Sequence, residues 1–208
     1  LKNTHYAHKE TSNGNWVMKE IINTPSLQSW ELTGKTLGII GCGTIGCELA
    51  RMVKAFNTNT LYHNRRPLSK EIEENISASY ATKEKILAES DVVTVHVPLT
   101  EETRGMIGVD QIARMKKGAI LVNTSRGGIV DEHAVVQALK EGRLKGAGFD
   151  VYSNEPITPD CPLLEVENVI LTPHISGATA ETVYRGCRLV AENVNLVLEG
   201  KPPLRVVN

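Results

Sequence analysis

Three side chains able to move a proton or to hold a carboxylate stand just past apolar runs: Arg126 in VNTSRGGIVDE, Glu155 in GAGFDVYSNEP and His174 in VILTPHISGAT. An imidazole titrates near neutrality, so it can give a proton to an oxygen or take one back. A carboxylate beside it favours the imidazolium and fixes which ring nitrogen carries hydrogen. A guanidinium offers a planar fork of donors that matches a carboxylate. Taken singly, each has a plainer reading: NTSRGG as a solvated strand-to-helix loop, Glu155 as a loop charge, His174 as a core or cap histidine. Their placement at the ends of three successive runs argues for the chemical reading, because ligands of doubly wound sheets collect at the carboxyl ends of the strands.

A fourth run end carries a different motif. GIIGCGTIG sets Gly41, Gly43 and Gly46 in the spacing G-x-G-x-x-G, directly after an apolar run and at the start of a helical pattern. The first glycine permits a tight turn, the second lets backbone approach a diphosphate, and the third lets helix pack close to strand. The diphosphate would rest at the helix N-terminus, where free N–H groups and the helix dipole favour negative charge. Twenty-two residues after Gly41, where NAD-binding versions of the motif carry an acid for the ribose hydroxyls, stands His63, followed by Asn64, Arg65 and Arg66. Guanidinium groups there suit a ribose 2′-phosphate, so the reading favours NADP over NAD. The alternative is that the two arginines are solvated residues of the loop leading to Pro67.

The elements that would position these groups follow from the apolar pattern. Runs at Thr36–Gly41, Thr58–His63, Asp91–Val97, Ala119–Thr124, Gly146–Val151 and Val169–Pro173 are nearly continuous in apolar residues, as strands covered on both faces are. Between them, Ile45–Phe56, Thr82–Glu89 and Asp131–Glu141 space apolar residues by three and four, with Asp131 as N-cap and Gly142 as stop for the last. The pattern predicts an α/β fold, a doubly wound parallel sheet of the Rossmann type built from about six strand–helix repeats. Residues 1–33 read as a helix and a linker, 34–176 as the dinucleotide-binding domain, and 177–208 as a long C-terminal helix and a tail. The tail, KPPLRVVN, reads as a return towards a substrate domain largely absent from this chain, and a start at Leu1 suggests a fragment or a processed form.

Composition narrows the partners. A net charge of -1 with no basic stripe argues against a nucleic-acid groove. No apolar run approaches the roughly 20 residues of a membrane span, and the N-terminus lacks a signal-peptide core, so the reading places the protein in the cytoplasm. Cys42, Cys47, Cys161 and Cys187 form neither a C-x-x-C pair nor a Cys/His cluster, and they read as reduced thiols with no metal. His5, His8 and His133 read as surface residues, and His96, inside an apolar run, as a packing residue.

Together GIIGCGTIG, VHVPLTEETRGMI, MKKGAILVNTSRGGIVDE, GAGFDVYSNEP and VILTPHISGAT resemble the cofactor-binding domain of the D-isomer-specific 2-hydroxyacid dehydrogenases. That family includes glyoxylate/hydroxypyruvate reductases, D-lactate dehydrogenases and phosphoglycerate dehydrogenases. The resemblance implies hydride transfer between a nicotinamide cofactor and a small 2-oxo or 2-hydroxy acid. It gives Arg126 the substrate carboxylate, His174 the acid/base role and Glu155 that of its acidic partner. It also implies cofactor contacts at Thr44, Ile45, Pro98, Thr103, Thr124, Ser125, Asp150 and Gly177. His63, where the family commonly has Asp, resembles the NADP-preferring members, and HYAHKETSNGNWVMKEII resembles the region through which similar proteins form homodimers. Two other functions stay open at this stage: a phosphoglycerate dehydrogenase-like enzyme, and a non-catalytic NAD(P)-sensing module like the corepressors that keep the triad.

Overall fold

The computed structural model describes residues 3–25 and 27–206. Seven strands form one fully parallel sheet: β1 (Thr36–Ile40), β2 (Asn59–His63), β3 (Ala78–Tyr80), β4 (Val92–Val95), β5 (Ala119–Asn123), β6 (Leu144–Phe149) and β7 (Val169–Leu171). Their order across the sheet is β3-β2-β1-β4-β5-β6-β7. The order reverses direction between β1 and β4, which opens a crevice beyond the carboxyl ends of those two strands.

The crossovers are α3 (Thr44–Lys54), α4 (Lys70–Ile76), α5 (Lys83–Glu89), α6 (Val109–Arg114) and α7 (Glu132–Lys140). The doubly wound reading holds, and Asp131 caps α7 by accepting from the Ala134 N–H at 3.1 Å. Three elements escape the apolar pattern. β3 is a three-residue edge strand, α4 is the charged segment KEIEENI, and α6 is only six residues long. All three are too short or too polar to show a period. The N-terminal region, expected as one helix, is two, α1 (Thr4–Ser12) and α2 (Met18–Asn23), separated by a turn in which Gly14 adopts φ 85°. The expected C-terminal helix is α8 (Ala180–Leu198), none of whose residues is buried against the rest of the described chain.

Two apolar clusters sandwich the sheet, and β1 feeds both by alternation. Leu37 and Ile39 join Tyr62, Ala50, Val53 and Ile76 under α3 and α4, whereas Ile40 joins Val93, Val95, Leu121, Ile86, Val135 and Leu139 on the opposite face. At β5 the expected burial on both faces is only half met, since Ile120 and Val122 alternate with the buried Ala119, Leu121 and Asn123 and stay partly exposed.

Tyr62 ties this packing to the loop that carries the arginines. It is fully buried, its hydroxyl donates to Glu73 Oε1 at 2.8 Å, and the same oxygen accepts from the Leu68 N–H at 2.8 Å. Burial and the adjacent Glu73 carboxylate push the phenol up to about 12. Tyr62→Phe leaves the Leu68 N–H without its acceptor in a closed site. It is expected to lower the unfolding free energy by about 1–3 kcal/mol, read as a lower urea midpoint with an unchanged m-value.

Candidate active site

The glycine turn joins β1 to α3 at the crevice. Gly41 adopts φ 96°, and a Cβ there would lie 2.7 Å from the His96 carbonyl carbon and 2.8 Å from the Val97 nitrogen. Only glycine accepts both the conformation and the approach of the β4 backbone. Gly46 is set by packing, since its Cβ would meet the Gly41 oxygen at 2.8 Å. Gly43 is different, for nothing lies within 4 Å of where its Cβ would be. The chain's own packing does not require glycine there, whereas a ligand laid against the turn would. Gly43 also supplies no side-chain cap to α3, and Thr44 and Ile45 after it are exposed, so the first-turn N–H groups remain uncapped donors. These features fit a dinucleotide diphosphate.

Asn64 turns out to brace this turn. Its Oδ1 accepts from the Cys42 N–H at 2.7 Å and its Nδ2 donates to the Cys42 carbonyl at 3.1 Å. Asn64, expected among the cofactor-binding residues, thus has its side-chain amide engaged by the backbone of the turn. His63 donates from Nδ1 to the Ala81 carbonyl at 3.0 Å and lies against Tyr80. Arg65 and Arg66 are exposed and have no hydrogen-bond or ion-pair partner among the described residues.

Glu155 and His174, nineteen residues apart, meet. His174 Nδ1 lies 2.7 Å from Glu155 Oε2. A carboxylate only accepts, so Nδ1 carries the hydrogen and Nε2 is left free. The second carboxylate oxygen accepts from the Tyr152 N–H at 2.9 Å. The bond from His174, and then that from Tyr152, hold the Glu155 carboxyl below the usual carboxylate range. Both side chains are partly open to solvent.

The histidine owes its position to Asp150. This carboxylate, 2% exposed, accepts from Thr172 Oγ1 at 2.6 Å, from the Ile175 N–H at 2.9 Å and from the Ser176 N–H at 2.8 Å. Burial alone would raise its pKa, but the donors of Ser176, Thr172 and Ile175 outweigh that and hold it far below the ordinary Asp value. The loop so pinned carries His174 in a left-handed conformation, φ 55°. The sequence places His174 between a proline and a Ser-Gly turn; the structure shows that a carboxylate from the neighbouring strand fixes the bend.

Arg126 is exposed and makes no hydrogen bond or ion pair with Glu155 or His174; its Nη1 donates to the Ser125 carbonyl at 2.6 Å. Its turn is nevertheless built against theirs. A Cβ on Gly127 would fall 1.7 Å from the Tyr152 carbonyl oxygen, so the β5 and β6 loops are in backbone contact one residue beyond the arginine. Asn123, 1% exposed, shapes the turn by donating to the Arg126 carbonyl at 3.0 Å and accepting from Ser125 N–H and Oγ at 3.1 and 2.9 Å. Glu132, nearly buried, accepts from the Ser153 N–H at 2.6 Å and anchors the loop that carries Glu155. Asn123, Gly127 and Glu132 escaped the sequence reading. The one available signal was an asparagine closing an apolar run.

The remaining expected contacts lie on the rim. Thr103 Oγ1 donates to the Pro98 carbonyl at 2.6 Å and accepts from the Thr100 N–H at 2.8 Å, fixing the loop after β4. Thr124 and Ser125 follow β5, and Gly177 is exposed ahead of α8. His96 is half-buried, contacts Thr94 Oγ1 through Nε2 at 2.9 Å and is held below the ordinary histidine value by burial. Among the described residues there is no group of three or more His, Cys, Asp and Glu placed to hold a metal ion, and no helix is long and apolar enough to cross a membrane.

Comparison with known proteins agrees with this geometry. The family model described as "D-isomer specific 2-hydroxyacid dehydrogenase, NAD binding domain" matches residues 1–176. A glyoxylate reductase of Korarchaeum cryptofilum is 49% identical over 181 residues, covering 86% of this chain and 54% of that protein. A D-3-phosphoglycerate dehydrogenase of Archaeoglobus fulgidus is 42% identical over 202 residues, covering 97% of this chain and 37% of that one. The crystal structure of a glyoxylate reductase from Paecilomyes thermophila superposes with a TM-score of 0.86 at 37% identity, over 97% of this chain and 59% of its own. The chain thus spans about half the length of the relatives it matches. With the seven-stranded parallel sheet, the uncapped glycine turn and the extent of the family match, the chain belongs to the D-isomer-specific 2-hydroxyacid dehydrogenase family and comprises its NAD-binding domain.

Proposed function

We propose that the protein containing this chain is a reductase of small 2-oxo acids of the glyoxylate and hydroxypyruvate class, running on NADPH or NADH. The observation that carries the reading is the 2.7 Å contact between His174 Nδ1 and Glu155 Oε2 beyond the carboxyl ends of the parallel strands, the side of the sheet on which the glycine turn also lies. The curated relative from Korarchaeum cryptofilum and the Paecilomyes crystal structure, both named glyoxylate reductases, favour this substrate class.

When bound, the cofactor supplies the hydride for the carbonyl carbon. The chain's own groups do the rest. Arg126, free of any carboxylate partner among the described residues, holds the substrate carboxylate through its fork of donors. His174, protonated, gives its Nε2 proton to the carbonyl oxygen as negative charge develops there, and takes it back in the reverse direction. Glu155 stabilises the imidazolium and keeps Nδ1 protonated throughout, so that Nε2 is always the nitrogen that exchanges the proton. The three bonds to Asp150 keep the ring in place while its charge changes; Asp150 is thus a positioning residue.

Within this reading the unpaired Arg65 and Arg66 at the end of β2 favour NADP over NAD. The exposed Trp16, Met18 and Ile22 support a homodimer through the N-terminal helices, and a soluble two-substrate reductase of this kind fits the cytoplasm.

The reading is tested by NADPH oxidation with glyoxylate, hydroxypyruvate and 3-phosphohydroxypyruvate on the full-length protein. His174→Gln is expected to lower kcat by about 10²- to 10⁴-fold with NADPH binding retained. Survival of activity would refute the acid/base assignment. Preference for the phosphorylated substrate would move the protein to the phosphoglycerate dehydrogenase class, and a tight protein partner without turnover would favour the sensing module.

Replacing Arg65 and Arg66 together by Ala is expected to weaken NADPH by about 10- to 100-fold, as befits charge-assisted bonds to a phosphate. NADH binding should change little, and an equal loss for both cofactors removes the NADP preference.

For Asp150→Asn the direction follows from linkage. The folded-state pKa is depressed, so the carboxylate stabilises the fold fully above its unfolded value of about 3.9 and loses that contribution as the pH falls through the folded one. The variant is expected to be about 2–3 kcal/mol less stable near neutrality. The gap should narrow in urea titrations taken below about pH 4. A gap independent of pH would show that the charge of Asp150 does not hold the loop.

A further inference from the structure

The glycine turn contains a pair of thiols that the dehydrogenase chemistry does not use. Cys42 stands between the first two glycines and is fully buried, and Cys47 lies near the N-terminus of α3 and is partly exposed. Their sulfur atoms are 3.7 Å apart, and Cys47 Sγ also lies 3.8 Å from the Cys42 carbonyl oxygen. Both are free thiols, as are Cys161 and Cys187, which have no sulfur neighbour among the described residues. A disulfide holds its sulfurs at about 2.05 Å, so the pair must close by roughly 1.6 Å. That is within the reach of side-chain rotation aided by a small shift of the turn.

We propose that Cys42 and Cys47 form an oxidation site at which a hydroperoxide converts the two thiols to an intramolecular disulfide that closes the glycine turn to the dinucleotide. Cys47 reacts first, being the partly exposed thiol of the pair, while Cys42 is buried. Its sulfur attacks one peroxide oxygen, the O–O bond breaks, the other oxygen leaves as water or alcohol, and Cys47 becomes a sulfenic acid. The Cys42 sulfur then attacks that of Cys47. The S–S bond forms, the S–O bond breaks, and the departing hydroxyl takes the Cys42 proton to leave as water. Two electrons pass from the thiol pair to the peroxide. Cys42 takes the second role by position, its sulfur 3.7 Å from that of Cys47; burial and the neighbouring Cys47 push its pKa up to about 12, so it is not the thiol that meets the peroxide first.

The consequence for the turn follows from how it is held. Cys42 is clamped at both its N–H and its carbonyl by Asn64, and Gly41 and Gly46 have backbone pressed against them, so neither flank can absorb a displacement. Drawing Cys42 towards α3 therefore breaks the Asn64 clamp or re-aims the first-turn N–H groups. Conversely, a dinucleotide seated on Gly43 covers the route to Cys47 and shields the pair. This consequence rests on the dinucleotide reading of the turn; formation of the disulfide does not.

The full-length enzyme is treated with hydrogen peroxide, with and without NADPH. The disulfide is sought by peptide mapping after alkylation of free thiols, and NADPH affinity is measured by fluorescence titration before and after. The expected result is a Cys42–Cys47 cross-link with loss of two hydrogens, suppressed by NADPH, and an affinity for NADPH lowered by at least about tenfold and restored by dithiothreitol. Cys47→Ser and Cys42→Ala should each hold their starting affinity through the same treatment. Sulfinic or sulfonic acid at Cys47 without a cross-link overturns the proposal, as does a cross-link that leaves NADPH binding unchanged. An untreated enzyme that binds neither NADPH nor NADH would overturn the cofactor reading instead, with the mapping still deciding whether the pair closes.

Discussion

The site depends first on one buried carboxylate. Asp150 sits at the carboxyl end of β6 with three donors from the loop after β7 around it. A charge removed from water is costly unless hydrogen bonds replace the lost solvation. Here the donors are two backbone N–H groups and a hydroxyl that a left-handed bend at His174 brings together. The cost of burying the charge and the cost of bending the backbone are met by the same contacts. The loop that carries the imidazole of His174 is thereby held by a carboxylate at the end of a strand.

The same economy recurs where backbone touches backbone. Gly41 lies against the β4 backbone and Gly127 against the Tyr152 carbonyl, with no room for a Cβ at either. These approaches lock adjacent strand-end loops into one surface, so that Arg126, Glu155 and His174 are carried by loops in mutual contact even though Arg126 hydrogen-bonds neither of the other two. Polar side chains finish the construction from behind: Asn123 shapes the arginine turn, Glu132 holds the loop of Glu155, and Asn64 clamps the glycine turn. Each fixes the course of a strand-end loop. The Cys42–Cys47 pair is part of this construction, its sulfurs 3.7 Å apart.

What sequence reading could reach follows from what leaves a local trace. Buried parallel strands are continuous apolar runs, and six of the seven were visible as such. β3, α4 and α6 were not, because an edge strand of three residues and helices of six or seven are stabilised by what they pack on rather than by a pattern of their own. The glycine motif and the three ionisable residues were legible because run ends are legible, and in an α/β sheet run ends are where ligands bind.

The sequence by itself determined the fold class, the glycine turn after the first strand and the positions of Arg126, Glu155 and His174 at run ends, since all three depend on residue type and order along the chain. The tertiary structure alone decided that His174 bonds Glu155, that Asp150 is a buried anchor of the histidine loop, that Asn64 braces the glycine turn, and that two cysteines five residues apart share van der Waals contact. Those outcomes turn on which loops the parallel sheet sets side by side and on how far each donor lies from each acceptor. Distances of that kind are fixed by packing between strands, and order along the chain does not encode them residue by residue.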